Sequence, residues 1–185
     1  PEIGDDVVLG DENASVTVFE YGDYQCPFCA RLFTDSEPRI RDEYIQTGKV
    51  KMVYKDLAFL GPESVAAAEA AECAKDQGKY WAYHDELYKT EINDGKVNRN
   101  SEGNGNLTKA LFMDIASTLG MDAGAFESCI DSRKYKAEVE GDEKEAQQLG
   151  VNSTPQIFVD DQKLVAGEQP YSVIKAAIEA ALQGK

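Results

Sequence analysis

The sequence predicts an α/β unit whose sheet is interrupted by a block of helices. Three observations carry that reading. Residues 16–55 run strand, helix, strand. Residues 156–183 run strand, strand, helix. Everything from 63 to 149 lacks period-two patterning and offers only helical stretches. A strand–helix–strand order predicts a right-handed parallel crossover, so the two ends of the chain build one sheet and the middle inserts into it. The sheet-bearing domain takes residues 1–62 and 141–185, and the helical insertion takes 63–140. A chain of 185 residues buries roughly 70% of its unfolded surface, so it needs neither a metal nor a disulfide to hold a core.

The first strand covers 16–21. Val16, Val18 and Glu20 alternate with Thr17, Phe19 and Tyr21, and both sets are largely apolar, as in a central strand covered on two faces. Gly22-Asp23 ends it with a turn signal. A helix starts at Cys26, because Pro27 suits the first helical position, where no N–H is needed. Phe28, Leu32, Ile40 and Tyr44 recur at helical spacing and give it a buried face. Pro38 kinks or restarts this helix, and Gly48 ends it. Residues 50–55, V-K-M-V-Y-K, form the second strand. The insertion opens with A-A-A-E-A-A-E-C-A-K up to Gly78 and continues with Y-W-A-Y-H-D-E-L-Y. A Gly/Asn-rich loop over 92–106 follows, then three helical stretches with Gly120 and Gly150 as C-terminal caps. Residues 156–160 (Q-I-F-V-D) and 163–166 (K-L-V-A) read as a hairpin around Asp160-Asp161. A last helix opens near Pro170 and runs to Gln183.

Composition excludes some functions. The net charge is −15 and the sequence pI about 4.4, which argues against nucleic acid, whose binding needs a basic face, and against an anionic membrane surface. No apolar run reaches the roughly 18 residues that span a bilayer, and no signal peptide is visible. The chain begins Pro-Glu-Ile rather than with methionine, as it would after loss of a leader or anchor or after trimming of its start.

The chemistry concentrates at C-P-F-C, residues 26–29. At a helix N-terminus the first cysteine faces free backbone N–H groups and the positive end of the helix dipole, and both stabilise a thiolate. The second cysteine lies one turn inside and is shielded. Cys26 is then the nucleophile and Cys29 its internal partner. A zinc site would want a second close ligand pair, whereas Cys73, Cys129 and the lone His84 are far apart in sequence, so no metal is expected. A purely structural disulfide is the other alternative, and the strand–turn–helix context favours redox chemistry over it. Glu20, six residues before Cys26 on a doubly covered strand, is at least partly buried. Such a carboxyl has a raised pKa and can exchange a proton with Cys29; the bland alternative is a strand-end acid that reaches water. Lys55, at the end of the neighbouring strand, is a candidate partner for Glu20 or a solvated strand-end lysine. Thr154-Pro155 opens a late strand, where a proline is ordinary. A cis bond there would bring the ring against the disulfide and expose the Thr154 backbone to an extended substrate.

Taken together these pieces resemble the DsbA-like branch of the thioredoxin superfamily. The matching residues are the acid six positions before C-P-F-C, the downstream T-P, G-P-E-S-V-A-A-A-E-A-A-E-C-A at 61–74, G-K-Y-W-A-Y-H-D-E-L-Y at 78–88 and L-G-V-N-S-T-P at 149–155, so the likeness covers nearly the whole chain. It implies a thioredoxin fold with an inserted helical domain. It also implies an extracytoplasmic thiol–disulfide oxidoreductase that donates its disulfide to newly exported proteins and uses no cofactor beyond the cysteine pair. Carried over by position, Cys26, Cys29 and Glu20 form the catalytic set, Pro155 is a cis-proline, and Pro27, Phe28, Thr154 and Pro155 meet substrate. The implied partners are extended cysteine-containing proteins and a membrane redox protein for recycling, and the chain works as a monomer. Two departures stand out. Pro27-Phe28 replaces the Pro-His of the best-known DsbA, which removes one thiolate-stabilising contribution and leaves the oxidising strength open. Ser153 stands where many relatives carry glycine.

In an oxidising compartment Cys73 and Cys129 form a second, structural disulfide, since exported proteins seldom keep spare thiols; the alternative is two buried free thiols. His84 lies among Trp81, Tyr83 and Tyr88 on a helix and is expected to be a packed or partly exposed structural residue rather than a metal ligand. Tyr80, Trp81, Tyr83 and Leu87 are expected to form the insertion's core. Asn98, Asn100 and Glu102 hint at calcium, but Lys109 stands where a calcium loop would need its twelfth-position glutamate. Two other functions stay open on the same scaffold: a disulfide reductase or isomerase, and a non-catalytic holdase that binds peptides in the same groove.

Overall fold

The computed structural model describes residues 1–93 and 103–185. A four-stranded sheet has the order β2-β1-β3-β4. β1 (Val16–Gly22) runs parallel to β2 (Val50–Asp56), with Val16 opposite Val50 and Tyr21 opposite Lys55. On its other edge β1 pairs antiparallel with β3 (Gln156–Val159), Glu20 facing Ile157. Every residue of β1 is buried, as its two apolar faces require. The crossover from β1 to β2 contains α1 (Pro27–Asp35), α2 (Glu37–Ile40) and a π-helical turn (Arg41–Ile45). The helix restarts at Glu37, one residue before Pro38, and Gly48 closes it in the left-handed conformation that glycine adopts freely (φ +72°).

Three apolar clusters sort the layers. On one face of the sheet Val16, Val18, Ile157 and Val159 pack against Leu32, Ile40 and the final helix α8 (Tyr171–Gln183) through Ile174 and Ile178. On the other face Phe19, Tyr21, Val53 and Phe158 pack against Ala146 of α7 (Lys136–Gln148). The third cluster belongs to the insertion, α3 (Pro62–Lys75), α4 (Tyr80–Asn93), α5 (Lys109–Thr118) and α6 (Ala123–Asp131), built on Ala67, Ala70, Ala71, Tyr83, Leu87, Phe112 and Phe126. Cys26, Cys29 and Tyr54 lie in that same cluster, so the insertion's core and the cysteine pair are continuous. The boundary expected at 140 falls inside α7, a single helix that packs on α3 through the Lys75–Glu138 pair and ends covering the sheet.

Three expectations are corrected. β4 is only Gln162–Lys163, not 163–166. After Lys163 the chain leaves the ladder, and Val165 stands in solvent. Phe28 is 41% exposed rather than core: α1 turns Cys29, Ala30 and Leu32 inward, and Phe28, about 100° away from Cys29 around the axis, points out. Lys55 does not meet Glu20. Residues in register share a face, and Lys55 is opposite Tyr21 while Glu20 is opposite Tyr54. Lys55 instead pairs with Asp6 (2.5 Å), Asp142 (3.0 Å) and Glu145 (3.3 Å), tying the N-terminal segment and α7 to β2. The carboxyl groups of Asp6, Glu72 and Glu138 lie close together, and Lys55 and Lys75 counter their charge.

Cys73 of α3 and Cys129 of α6 are joined by a disulfide across 56 positions of sequence. A loop of that size stabilises the fold by about 4 kcal/mol in the chain-entropy account. The double variant Cys73→Ala/Cys129→Ala should therefore melt roughly 10 °C lower in a calorimetric scan, and an unchanged melting point would refute that contribution.

Candidate active site

The site is built where β1 ends. Gly22 is required there because a Cβ would sit 2.5 Å from the Tyr54 hydroxyl. Asp23 then anchors the turn: its Oδ1 accepts from the Gln25 N–H (2.9 Å) and lies 2.6 Å from Ser64 Oγ at the start of α3, and its Oδ2 accepts from the Leu60 N–H (3.1 Å). The Asp23 carbonyl accepts from the Cys26 N–H at 2.9 Å. This network sets Cys26 as the N-cap of α1, with extended backbone and Pro27 directly behind it.

The two sulfurs have opposite surroundings. Both cysteines are free thiols in this structure. The Cys26 thiol is lowered to about 7, first by a hydrogen bond from Cys29, against burial, and then by Thr154 and by the backbone N–H groups of Cys29 and Phe28 at the helix start. When protonated it donates to the Thr154 carbonyl (3.5 Å). Cys29 is completely buried, and burial pushes its thiol well up, with Cys26 and Glu20 adding to the effect. Thr154-Pro155 is a cis peptide beside the cysteine pair, its Thr154 next to Cys26 and the Pro155 carbonyl accepting from the Gly167 N–H at 2.9 Å.

Glu20 is buried behind the pair, and burial raises its pKa well above the usual carboxylate range, reinforced by the charges of Glu37 and Cys26. His84 is enclosed by Tyr24, Phe33, Tyr54, Trp81 and Tyr88, and its Nδ1–H donates to Asp85 (3.1 Å). It is a packed residue, as its aromatic neighbours in sequence indicate. Asn98, Asn100 and Glu102 lie outside the described residues.

In front of Cys26 a groove of about 470 Å³ is lined by Pro27, Phe28, Phe59, Leu60, Ser153 and Thr154. Phe59 is 47% exposed and lines this groove together with Phe28. The sequence reading missed Phe59 and Leu60, although an apolar A-F-L before Gly-Pro in a loop is a signal of contact with something outside the fold. It also missed Asp23.

An activated thiol at a helix start, a shielded partner and a buried acid are the parts that disulfide exchange needs, and they define a thiol–disulfide oxidoreductase whose redox group is the cysteine pair itself. The chain belongs to the thioredoxin superfamily, in its DsbA-like branch: a family model described as Thioredoxin matches residues 2–180. It is 32% identical over its whole length to Disulfide bond formation protein D of Bacillus subtilis strain 168, covering 81% of that protein. Its fold superposes on the crystal structure of oxidised BdbD from Bacillus subtilis with a TM-score of 0.88 at 30% identity, covering 100% of this chain and 96% of that one. Wolbachia pipientis α-DsbA1, at 21% identity, shares the fold with a TM-score of 0.80 over 99% of this chain and 94% of that one. No helix among the described residues is long and apolar enough to cross a membrane.

Because the folded Cys26 thiol is the stronger acid, its thiolate stabilises the reduced fold fully above the unfolded thiol's pKa, and that stabilisation is lost as pH falls through about 7. Thiolate absorbance of the reduced protein should titrate with a midpoint near 7 and vanish in Cys26→Ser. Cys29→Ala should raise the midpoint most and Thr154→Val less, and a midpoint insensitive to both would remove this account of the activated thiol.

Proposed function

We propose that the protein is an oxidase of protein dithiols, acting outside the cytoplasm on chains that still expose extended cysteine-containing segments. The observation that carries this is the asymmetry of the pair: the reduced form is favoured because Cys26 can rest as a thiolate, and favouring the reduced form makes the disulfide oxidising. A substrate thiolate attacks the Cys26 sulfur of the Cys26–Cys29 disulfide. The S–S bond breaks, its electron pair leaves on Cys29, and Glu20 supplies the proton that Cys29 takes up. A second substrate thiolate then attacks the substrate sulfur of the mixed disulfide, giving substrate disulfide and a Cys26 thiolate. Thr154 aligns the incoming backbone as a short extended strand, Pro27 and the Thr154-Pro155 peptide stand beside Cys26, and Phe28 with Phe59 hold an apolar side chain beside the substrate cysteine.

Each turnover leaves the enzyme as a dithiol, so an oxidant must restore it; a membrane-bound redox protein fills that role in this reading. The second disulfide supports the compartment, since Cys73–Cys129 belongs in an oxidising environment. The Bacillus subtilis relative, a disulfide bond formation protein, agrees with the direction. One observation favours a reductase instead: a first-cysteine pKa near 7 resembles thioredoxin's more than that of DsbA, which is about 3.5.

The redox potential decides between them. Equilibrated with glutathione buffers, the pair should fall between about −120 mV, the DsbA benchmark, and about −200 mV; a value near thioredoxin's, about −270 mV, would reverse the assignment. With a reduced, unfolded protein as substrate, Cys26→Ser should abolish turnover; with glutathione disulfide supplied as oxidant, Cys29→Ser should accumulate a mixed disulfide at Cys26. Phe28→Ala and Phe59→Ala should each raise KM several-fold while leaving reaction with glutathione unchanged. Peptide affinity that survives in Cys26→Ser/Cys29→Ser, alongside a wild-type protein without turnover, would point to a holdase.

A further inference from the structure

Behind Glu20, where α2, the π-turn and α4 converge, lies a cluster of charges that the exchange reaction above does not use. Glu37 is buried, and Arg41 grips its Oε1 with Nη2 at 2.5 Å and Nε at 2.7 Å. The other edge of the same guanidinium holds Asp85 in a two-pronged pair at 2.7 and 2.8 Å. His84 adds its Nδ1–H to Asp85. Oε2 of Glu20 and Oε2 of Glu37 are both enclosed and have no hydrogen-bond partner among the described residues.

The charges add up in a definite way. Arg41 supplies one positive charge and already faces two carboxylates, Glu37 and Asp85. An ionised Glu20 would make a third anion in a low-dielectric interior with one cation. Arg41 touches Glu37 directly, so the anion settles on Glu37 and the proton on Glu20, as in any coupled pair of acids. We infer that Glu37, oriented by Arg41 and Asp85, is a positioning residue that keeps Glu20 protonated and thereby sets the pH range over which Glu20 can deliver a proton to Cys29. The step is the one written above: the Cys26–Cys29 bond breaks, the electron pair stays on Cys29, and the Glu20 proton moves to that sulfur, leaving the Glu20 carboxylate.

The groups acting on Glu20 are Cys26 and Cys29 from α1, Glu37 from α2, Arg41 from the π-turn and Tyr88 from α4. Tyr54 stands opposite Glu20 on β2. Burial raises the pKa of Glu37 too, with Asp85 adding to it, and it is Arg41 first and then His84 that oppose this and favour the Glu37 anion. Of the charges on Glu20, Glu37 raises its pKa most, Cys26 adds to it, and Arg41 opposes both. Asp85 is held down to about 2, burial being outweighed by His84 and Arg41, so it is an anion at any working pH.

This inference rests on the proton-carrying role given to Glu20 above, and the test separates the two. The infrared carbonyl band of protonated Glu20 in the reduced protein, assigned by its loss in Glu20→Gln, is followed against pH. Glu37→Gln should lower its midpoint by about one pH unit or more. Asp85→Asn, which removes a more distant charge and keeps Glu37, should lower it less. Glu37→Asp, which keeps the charge, should bring it back toward the wild-type value. The alkaline fall in the rate of dithiol oxidation should move with the band, a loss of about tenfold per pH unit at a fixed high pH. A folded Glu37→Gln protein with an unmoved or raised midpoint overturns the inference; if that variant does not fold, an unmoved midpoint in Asp85→Asn overturns it instead. A band that moves while the rate profile stays put upholds the coupling and overturns the proton-carrying role of Glu20.

Discussion

Two sulfur atoms one helical turn apart experience different media, and the remaining architecture serves that difference. Cys26 caps α1, where backbone N–H groups have no partner of their own and a negative charge is welcome. Cys29 sits a turn deeper, enclosed by aromatic rings and the methyl groups of α3, where charge is penalised. A proton therefore leaves one sulfur easily and the other reluctantly. That gap gives the disulfide a direction in which to open, since the sulfur that leaves must be reprotonated in a dry interior. In the proposed reaction that proton comes from an acid that is itself dry, carried on a strand buried on both faces.

The helical insertion is part of this arrangement rather than an ornament on the sheet. Its alanine-rich α3 and aromatic α4 form the wall against which Cys29 is buried, and Tyr54, Tyr88 and His84 close the space between sheet and insertion. A thioredoxin-type sheet without that block would leave Cys29 wetter and its thiol less different from that of Cys26. The loop ahead of α3 also carries Phe59 and Leu60 to the rim. The insertion and the loop that leads into it thus shape both the electrostatics behind the pair and the surface in front of it.

What could be read from the sequence were features held within one short segment: the C-P-F-C helix start, the acid six residues upstream on a two-faced strand, the T-P at a strand opening, and the alternation of strands and helices. What could not be read depends on register or on how distant segments meet. Lys55 and Glu20 are both strand-end charges, and only the pairing of Tyr21 with Lys55 reveals that they lie on opposite faces. Phe28 fits a helical apolar stripe in sequence, yet it alone of that stripe points outward, while Leu32, Ile40 and Tyr44 are buried. Glu37 and Arg41 form an ordinary i, i+4 pair on paper. Their burial, and the arrival of Asp85 from a helix more than forty residues away, emerge only when α4 docks. The boundary placed near 140 falls within α7, a single helix that packs on the insertion and continues onto the sheet, which the sequence pattern alone does not show.

The carboxylate of Asp23 fastens both the turn that carries Cys26 and the loop that carries Leu60, and Ser64 pins the next helix to the same point. The reactive atom and the wall facing it are consequently parts of one stiff jaw. A stiff jaw cannot wrap around its client, so the client has to supply the pliancy. Under the proposed function, compact polypeptides would offer no strand loose enough to thread in while unfinished ones would, so the timing of disulfide insertion would be set by a hydrogen-bonded corner that never touches a substrate.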